Sequence, residues 1–366
     1  MKIAVAMSGG LDSSMAAVLL KEAGNDVMGI TAELSAGLVA HHYGPPGGPS
    51  GIESARSVAE SLGIPFHVAD LQAEFSSLIV EPFCEEYLRG RTPNPCVRCN
   101  AMIKFDLLLR RARELGCEKI ATGHYAAIGR AENGRYFVTR DDETIKDQSY
   151  FLFMLSQEAL SDILFPLGGF TKAAVREMAK ARGLAVAERP ESQEICFIPD
   201  NRYAEFIERS QRALPGPGDI TDSAGTVIGK HRGIHRYTIG QRRGLGIASP
   251  RPLYVTAIDA PSNRIIAGQR EELYAGALVA VGINYMKETA LDGLRVLAKT
   301  RSTQPPVDAH LSADGASIVV TFTEPQAGIS PGQAVVFYND RMEVLAGGII
   351  ERSLPVGTGP KETSNA

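Results

Sequence analysis

The chain of 366 residues has no run of 18 apolar residues, few cysteines and no excess of positive charge. The first absence excludes a membrane-spanning helix. Five cysteines, an odd number in a long chain, argue against a secreted disulfide scaffold and make closely spaced cysteines candidates for metal binding or catalysis. Because the formal net charge is −4, binding to nucleic acid would need a local basic face. A strand pattern that begins at Lys2 leaves no room for a signal or transit peptide, so we expect a cytoplasmic protein.

A glycine-rich loop joins a strand to a helix near the start of the chain. Residues 2–7 have strand character, residues 15–20 have helical character, and Ser8-Gly9-Gly10-Leu11-Asp12-Ser13-Ser14 lies between them. Glycine lets the backbone approach a ligand, a helix N-terminus favours an anion, and Asp12 can hold the metal that accompanies a phosphate. The lysine of a Walker A loop is missing. The order of residues resembles the pyrophosphate loop of ATP pyrophosphatases, and the alternative is a Ser/Gly turn that caps a helix.

The length predicts two or three domains. Alternating strand and helix patterns over residues 1–125 predict an α/β fold with a doubly wound parallel sheet, whose ligands bind beyond the carboxyl ends of the strands. From Leu214 onward, short β-rich runs between glycines predict one or two small β-barrels. We expect a catalytic nucleotide domain at 1–200, a central β-rich module at 201–270, a C-terminal β-barrel at 271–354 and a disordered tail at 355–366. His41 and His42 lie in a turn-rich insertion, where solvated side chains are more common than metal ligands.

A CxxC motif, Cys96 to Cys99, ends a loop that two prolines hold extended. This spacing fits half a zinc site, a redox pair or a pair of iron–sulfur ligands. No second CxxC or CxxH follows, so we do not expect a four-ligand structural zinc. One further cysteine, Cys196, stands in Ser192-Gln193-Glu194-Ile195-Cys196-Phe197, whereas Cys84 and Cys117 have helical or helix-end contexts typical of buried residues.

Six motifs together resemble the tRNA-specific 2-thiouridylases of the MnmA (TrmU) type, in that family's order and over nearly the whole chain. They are the loop at 8–14, the cysteine segment at 90–105, Ala121-Thr122-Gly123-His124-Tyr125-Ala126, Lys146-Asp147-Gln148-Ser149-Tyr150, the segment at 192–197, and Gly240-Gln241-Arg242-Arg243-Gly244-Leu245-Gly246.

The resemblance implies ATP-dependent 2-thiolation of the wobble uridine, position 34, of tRNA. The C2 carbonyl of uracil is a poor electrophile, and adenylation of its oxygen makes AMP the leaving group, with pyrophosphate as the other product. The resemblance assigns Cys196 as the persulfide bearer and Cys99 as the nucleophile that attacks it, which leaves a Cys99–Cys196 disulfide. It further implies Mg²⁺, tRNAs for Lys, Glu and Gln as substrates, and a sulfur-relay protein or cysteine desulfurase as the sulfur donor.

The same resemblance assigns two sets of binding residues. The predicted ATP site consists of Ala6, Met7, Ser8, Gly9, Gly10, Leu11, Asp12, Ser13, Ala32 and Gly123, with Asp12 as the Mg²⁺ ligand. The predicted tRNA contacts are Asn94, Pro95, Cys96, His124, Lys146, Asp147, Gln148, Arg301, Ser302 and Gln333. Ser302 departs from the family's usual aromatic residue, which puts a stacking contact there in doubt. Loop residues Lys230, Arg232, Arg236, Arg242 and Arg243 offer phosphate contacts or, alternatively, a solvated charged surface.

Cys96 departs from the family pattern, because many members carry an aspartate there that is the proposed proton-transfer group. Cys96, Cys99 and Cys196 are also a candidate ligand set for three irons of a 4Fe–4S cluster, with the fourth iron open to sulfide. Outside the family, the loop at 8–14 fits a small-molecule ligase that forms AMP, such as an argininosuccinate- or GMP-synthetase-like enzyme. It also fits a nucleotide-binding or cluster-sensing protein without catalysis. Neither accounts for the CxxC motif together with Cys196 and the basic β-modules.

Overall fold

The structure, a computed structural model, describes residues 1–34, 50–140, 146–188, 195–198, 202–211 and 213–357. The predictions for His41, His42 and residues 358–366 lie outside these ranges. The chain divides into two compact units, the first made of Met1–Val80, Pro95–Asn201 and Arg341–Val344, the second of Glu81–Asn94, Arg202–Asp340 and Leu345–Ala366. The predicted domain boundaries stay predictions. Across the described ranges, no helix is long and apolar enough to cross a bilayer.

The first unit is built around a parallel sheet. Its strands, including a separate hairpin, are β1 (Lys2–Ala6), β2 (Asp26–Glu33), β3 (Phe66–Asp70), β4 (Lys119–Ala121), β5 (Ala127–Arg130), β6 (Tyr136–Thr139) and β7 (Ile163–Leu164). The sheet order is β3-β2-β1-β4-β7, with every neighbouring pair parallel, while β5 and β6 form the hairpin. Apolar residues such as Val5, Met15 and Ala121 form the core between sheet and helices. The predicted doubly wound α/β fold is confirmed.

The helices up to residue 181 lie in the first unit, except Glu81–Leu88, which belongs to the second unit. They are α1 (Leu11–Glu22), α2 (Gly51–Ser61), α3 (Gln72–Phe75), α4 (Glu81–Leu88), α5 (Pro95–Arg98), α6 (Leu108–Glu114), α7 (Gln157–Asp162) and α8 (Lys172–Ala181), with short 3₁₀ turns at Ser149–Phe151 and Ala185–Glu188. The side chains of Ser50 and Thr171 cap α2 and α8, whereas Gly10 gives α1 no side-chain cap. No N-cap side chain therefore bonds the N–H groups in the first turn of α1.

Two stretches wind as π-helix, at Ser76–Val80 and at Cys99–Leu107. The sequence predicts single helices over 75–88 and 101–115, and in both places the structure instead changes winding part-way. Apolar spacing does not separate a winding of 3.6 residues per turn from the wider π-helix, so this difference is not visible in the pattern. The second stretch begins at Cys99.

The second unit contains a four-stranded sheet and a closed barrel. The sheet comprises β8 (Gly218–Thr221), β9 (Val227–His231), β10 (Tyr254–Asp259) and β11 (Arg264–Gly268) in the order β10-β11-β8-β9, next to helix α9 (Tyr203–Ser210) and 3₁₀ turns at Ile234–Arg236 and Arg270–Leu273. The barrel strands are β12 (Tyr274–Tyr285), β13 (Arg295–Lys299), β14 (Val307–Asp314), β15 (Ser317–Ala327), β16 (Ala334–Tyr338) and β17 (Val344–Pro355). They close in the order β12-β15-β14-β13-β16-β17 around buried Leu278, Val320 and Phe337. The predicted β-rich modules are confirmed, with one closed barrel.

Candidate functional site

The loop between β1 and α1 depends on close backbone approaches. Gly9 has φ = +73°, and a Cβ atom added to it would lie 2.4 Å from the carbonyl oxygen of Gly51. A Cβ atom on Gly123, which follows β4, would lie 2.7 Å from the backbone nitrogen of Ser13. The hydroxyl of Ser13 accepts a hydrogen bond from the backbone N–H of Ser8 at 3.1 Å. Any side chain at Gly9 or Gly123 would therefore clash with neighbouring backbone atoms, so the shape of the loop requires glycine at both positions.

A cavity of about 320 Å³ opens at this loop. That volume suits a small-molecule ligand. Of the ten predicted ATP residues, seven line it: Ala6, Met7, Ser8, Asp12, Ser13, Ala32 and Gly123. Cys196, His124, Gln148 and Lys104 line the same cavity. The structure thus brings predicted nucleotide, sulfur and RNA residues together in the first unit.

Asp12 is surrounded by donors. Its Oδ1 atom accepts hydrogen bonds from the Tyr125 hydroxyl at 2.7 Å and from Lys172 Nζ at 2.6 Å, and its Oδ2 atom lies 3.8 Å from Lys146 Nζ. Both lysines also lie over the buried Tyr125 ring, at 5.9 Å for Lys172 and 5.4 Å for Lys146. Two cations beside one carboxylate leave net positive charge next to the loop, which suits a phosphate group.

Tyr125 and Lys172 were not among the residues predicted for this site. Tyr125 belongs to one of the six motifs, which is a signal for it, whereas Lys172 only starts an amphipathic helix. A Mg²⁺ ion bound with ATP needs one or two carboxylates besides the phosphate oxygens. Asp12, at the cavity wall, fits that requirement and would hold the ion. An ion there would compete with Lys172 for Oδ1.

The three cysteines of interest are reduced and differ in exposure. Cys99 is buried, Cys196 is half-buried and Cys96 is exposed. Burial raises the pKa of the Cys99 thiol to about 12, an effect that nearby Lys104 opposes and that Cys196 and Cys96 reinforce. Lys104 donates a hydrogen bond to Asn100 Oδ1 at 2.9 Å, and the Asn100 amide donates to the carbonyl oxygen of Phe151 at 3.0 Å.

Metal binding by these cysteines finds no support in the described ranges, which contain no group of three or more His, Cys, Asp or Glu side chains suited to hold an ion. Cys96, Cys99 and Cys196 all lie within the described residues. The 4Fe–4S ligand set of Cys96, Cys99 and Cys196 stays a prediction, because in such a cluster each cysteine binds a different iron.

His124 lies beside the cavity as a neutral side chain. Its Nδ1 atom is 2.7 Å from the Thr122 hydroxyl, and its ring is 5.8 Å from the ring centres of both Phe105 and Phe165. Burial, reinforced by the charge of Lys104, holds the pKa of His124 well below its ordinary value. A neutral imidazole can contact a base or ribose, but it offers no charge to a phosphate at neutral pH.

Comparison with known proteins places this geometry in a family. Three family models match consecutive parts of the chain: a tRNA methyl transferase HUP domain at residues 1–200, a tRNA methyl transferase PRC-barrel domain at 204–269 and an aminomethyltransferase beta-barrel domain at 275–350. The tRNA-specific 2-thiouridylase MnmA of Geobacter metallireducens is 48% identical over 97% of this chain and 98% of its own length. The chain belongs to the tRNA-specific 2-thiouridylase family. The MnmA of Geotalea uraniireducens is 46% identical over 98% of this chain and 96% of its own length.

The family-model descriptions name methyl transfer, whereas the near full-length relatives are named thiouridylases. We follow the relatives because their identity extends over almost the whole of both chains. A solved 4-thiouridine synthetase–RNA complex with bound ATP aligns with a TM-score of 0.34 and 19% identity over 57% of this chain and 50% of that chain, from which we conclude nothing further.

The remaining residues that thiouridylase resemblance predicts for tRNA divide between the two units. In the first unit, the backbone N–H of Tyr125 donates to Gln148 Oε1 at 2.9 Å and that of Ser149 donates to Asp147 Oδ1 at 2.8 Å. With Lys146 beside Asp12, the segment 146–148 is fixed against the nucleotide loop.

In the second unit, Arg301 donates to the carbonyl oxygen of Gly328 and to the Ser330 hydroxyl, Ser302 is half-buried, and Gln333 donates to the carbonyl oxygen of Thr92 at 2.8 Å. Arg242 and Arg243 are exposed on a loop that Gln241 braces, since its amide donates to the carbonyl oxygen of Arg243 at 2.9 Å. These contacts leave the predicted tRNA roles as predictions.

Proposed function

We propose that this member of the thiouridylase family uses ATP to thiolate tRNA, specifically at C2 of the wobble uridine, position 34, and releases AMP and pyrophosphate. The observation that carries the proposal is that Cys196 lines the same cavity as Ser8, Asp12 and Ser13. A pyrophosphate loop and a sulfur-bearing residue in one cavity are what adenylation followed by sulfur attack requires.

The loop at residues 8–14 binds ATP and stabilises the departing pyrophosphate. The uncapped first turn of α1 offers N–H donors to the departing pyrophosphate. The Ser13 hydroxyl accepts from the backbone N–H of Ser8 and donates to the carbonyl oxygen of Gly10 at 3.2 Å, which holds the loop in shape. Asp12 would hold Mg²⁺, which screens the negative charge of the phosphates. Lys172 and the Tyr125 hydroxyl hold the Asp12 carboxylate in place. Ala32, near the carboxyl end of β2, and Gly123, just after β4, also line the cavity, and we assign both to the adenosine.

Cys196 and Cys99 carry out the sulfur transfer. The terminal sulfur of a Cys196 persulfide attacks C2 and AMP leaves with the former C2 oxygen. The Cys99 thiolate then attacks Cys196 Sγ, so the bond to the transferred sulfur breaks, a Cys99–Cys196 disulfide forms and 2-thiouridine is released. An external thiol reductant supplies the two electrons that restore both cysteines. Burial raises the pKa of Cys99 to about 12 and so disfavours the thiolate that this step needs. The charge of the nearby Lys104 ammonium acts in the opposite direction and favours the thiolate.

The substrate tRNAs, the sulfur donor and the location complete the proposal. We assign tRNAs for Lys, Glu and Gln as substrates and a sulfur-relay protein or cysteine desulfurase as the donor that loads Cys196, in the cytoplasm. Asn94, Pro95 and Cys96 are assigned to the flipped base, which must leave its stack to enter a pocket. The persulfide route needs only Cys99 and Cys196, whereas a 4Fe–4S cluster would also need Cys96 as a ligand.

The experiment is an anaerobic assay with tRNA, ATP, Mg²⁺ and a persulfide donor, in which nucleoside mass spectrometry measures 2-thiouridine. We expect product from the parent protein and from Cys117→Ala, a matched control because Cys117 is a buried thiol that does not line the cavity. Cys196→Ala should give none. Undiminished product from Cys196→Ala would refute the sulfur route. Pyrophosphate release that depends on a small amide acceptor rather than tRNA would favour a ligase.

A further inference from the structure

The segment just before the cysteine motif is hydrogen-bonded to a loop of the β-barrel. The backbone N–H of Thr92 donates to the carbonyl oxygen of Pro331 at 2.8 Å. In return, the side-chain amide of Gln333 donates to the carbonyl oxygens of Thr92 at 2.8 Å and Pro93 at 3.3 Å. Both acceptors of this short segment are thus satisfied by one side chain.

The barrel loop is shaped for this contact. Gly332 has φ = +91°, and a Cβ atom there would lie 3.1 Å from the backbone N, C and O atoms of Thr92. Arg301 fixes the start of the same loop through its bonds to Gly328 and Ser330. On the other side of Thr92, Arg91 donates to the carbonyl oxygen of Ile350 at 3.3 Å and pairs with Glu86 at 2.6 Å. Such a glycine admits backbone close to backbone, which a side chain would prevent.

The sequence of the segment explains why it needs external donors. Pro93 and Pro95 have no N–H group, so the backbone from Thr92 to Pro95 has few donors of its own and cannot form a regular ladder. A primary amide has two N–H donors and can bond two carbonyls at once. Gln333 supplies that pair.

We propose that Gln333 is a positioning residue for the thiolation reaction, acting by holding Thr92 and Pro93 so that the chain enters the cysteine motif in one conformation. This inference rests on the proposed function. Only Asn94 lies between Pro93 and Pro95, and Pro95 is the first residue of helix α5, which carries Cys96. A direct contact between Gln333 and tRNA, which family resemblance implies, would act on RNA affinity instead. The two roles are separable because the bonds to Thr92 and Pro93 act on the conformation of the segment, whereas a contact with RNA acts on tRNA affinity.

The test uses the full-length protein and two glutamine variants. Gln333→Glu keeps the size of the side chain but removes both N–H donors. Gln326→Glu is the matched control, since Gln326 lies in barrel strand β15 and its amide donates to the carbonyl oxygen of Glu324 in the same strand. Hydrogen exchange of the peptide containing Thr92, without tRNA, should become about 5- to 10-fold faster in Gln333→Glu and stay unchanged in the control.

The kinetic readout separates positioning from RNA binding. At saturating tRNA, kcat of Gln333→Glu should fall roughly 10-fold while the Kd for tRNA stays within about twofold of the parent, because a misplaced reacting segment lowers the rate of the bound complex. Unchanged exchange at Thr92 would overturn the proposal, and so would a weaker Kd with unchanged kcat. Faster exchange with unchanged kcat would also overturn it. If Gln333→Glu does not fold, the neutral Gln333→Met variant replaces it. The exchange result stands even if thiolation itself is not observed.

Discussion

Lys172 Nζ lies 2.6 Å from Asp12 Oδ1 and so joins the first residue of α8 to the first turn of α1, two positions that are 160 residues apart in the sequence. The contact is half-buried, at 19% exposure for the lysine side chain and 27% for the carboxylate. Partial burial weakens the screening of this pair by solvent and favours one orientation of the Asp12 carboxylate. Lys172 does not itself line the cavity, whereas Asp12 does. We therefore interpret Lys172 as acting through Asp12.

The first prediction concerns pyrophosphate release by a Lys172 variant. Lys172→Met removes the ammonium but keeps most of the apolar chain, so Asp12 loses one of its donors. We expect release of pyrophosphate in the presence of tRNA to fall about 10- to 100-fold. Asp12→Asn, which also loses the charge for Mg²⁺, should fall by 100-fold or more on the same principle of electrostatic stabilisation.

The control for this prediction lies on the same helix. Lys180 is in the last turn of α8 and pairs with Glu177 and Glu188 at the surface, away from the loop. Lys180→Met should leave pyrophosphate release within about twofold, as expected for an exposed ion pair. Equal losses in Lys172→Met and Lys180→Met would mean that α8 matters only for folding.

The nucleotide loop could be predicted from the sequence because its residues are neighbours. Strand, glycine pair, Asp12 and helix all fall within residues 2–20, so one window contains the whole signal. Lys172 could not be found in this way. Only the sheet order, which brings α8 next to α1, places the lysine beside Asp12. The same limit applies to Gln333 and Thr92, which the fold of the second unit brings together.

Other differences have local causes. Strand β14 carries a clear alternation, with Ala309 and Leu311 buried and His310 exposed, which is a signal for a strand in the sequence itself. Strand β7 has only two residues, too few for any periodicity. Residue spacing gives no signal for the π-helix that starts at Cys99.

The second prediction concerns salt dependence of tRNA binding. Arg242 and Arg243 are exposed on the loop braced by Gln241, and each phosphate contact contributes about 0.7 to 0.9 to the slope of log K against log salt. The double variant to alanine should therefore weaken binding and reduce the slope by about 1.5. Arg295→Ala is the control, because this exposed barrel arginine is paired with Asp308. An unchanged slope in the double variant would mean that neither arginine contacts a phosphate of the tRNA.

The third prediction is a pH dependence of Cys99 alkylation. Burial raises the pKa of Cys99 to about 12, so its thiolate is scarce at neutral pH. Site-resolved alkylation of Cys99 should be slow at about pH 9 and should still rise close to tenfold per pH unit above that pH. An ordinary cysteine, whose pKa is about 8.5, would by then be mostly thiolate and its rate would level off. Lys104→Met should slow the reaction further, because the lysine charge lowers the pKa.

The sign of the linked stability effect follows from the same shift. The folded state binds the thiol proton more tightly than the unfolded state, so the contribution of Cys99 to stability is complete below about pH 8.5 and is lost as the pH rises towards about 12. The free energy of unfolding of Cys99→Ala should accordingly fall less steeply with pH in this range than that of the parent. Fast alkylation of Cys99 at pH 7 would contradict the prediction.

The last prediction separates persulfide transfer from cluster chemistry through Cys96. In the persulfide route only Cys99 and Cys196 exchange sulfur, and Cys96 shapes the base pocket. Cys96 is exposed as a residue, but desolvation of its thiol, reinforced by Cys196, raises the pKa of Cys96 to about 11, so the charge of an aspartate there carries a desolvation cost. The family resemblance nevertheless implies that many members carry an aspartate at this position, so Cys96→Asp should retain at least about a third of the parent's thiolation under anaerobic conditions, whereas Cys99→Ala and Cys196→Ala should give no product. In a cluster route all three thiolates would ligate iron, and Cys96→Asp would be as inactive as Cys196→Ala. Thiolation by Cys96→Asp, measured with and without iron and sulfide beside the iron content of the parent, decides between the two. Complete inactivity of that variant together with stoichiometric iron in the parent would overturn persulfide transfer.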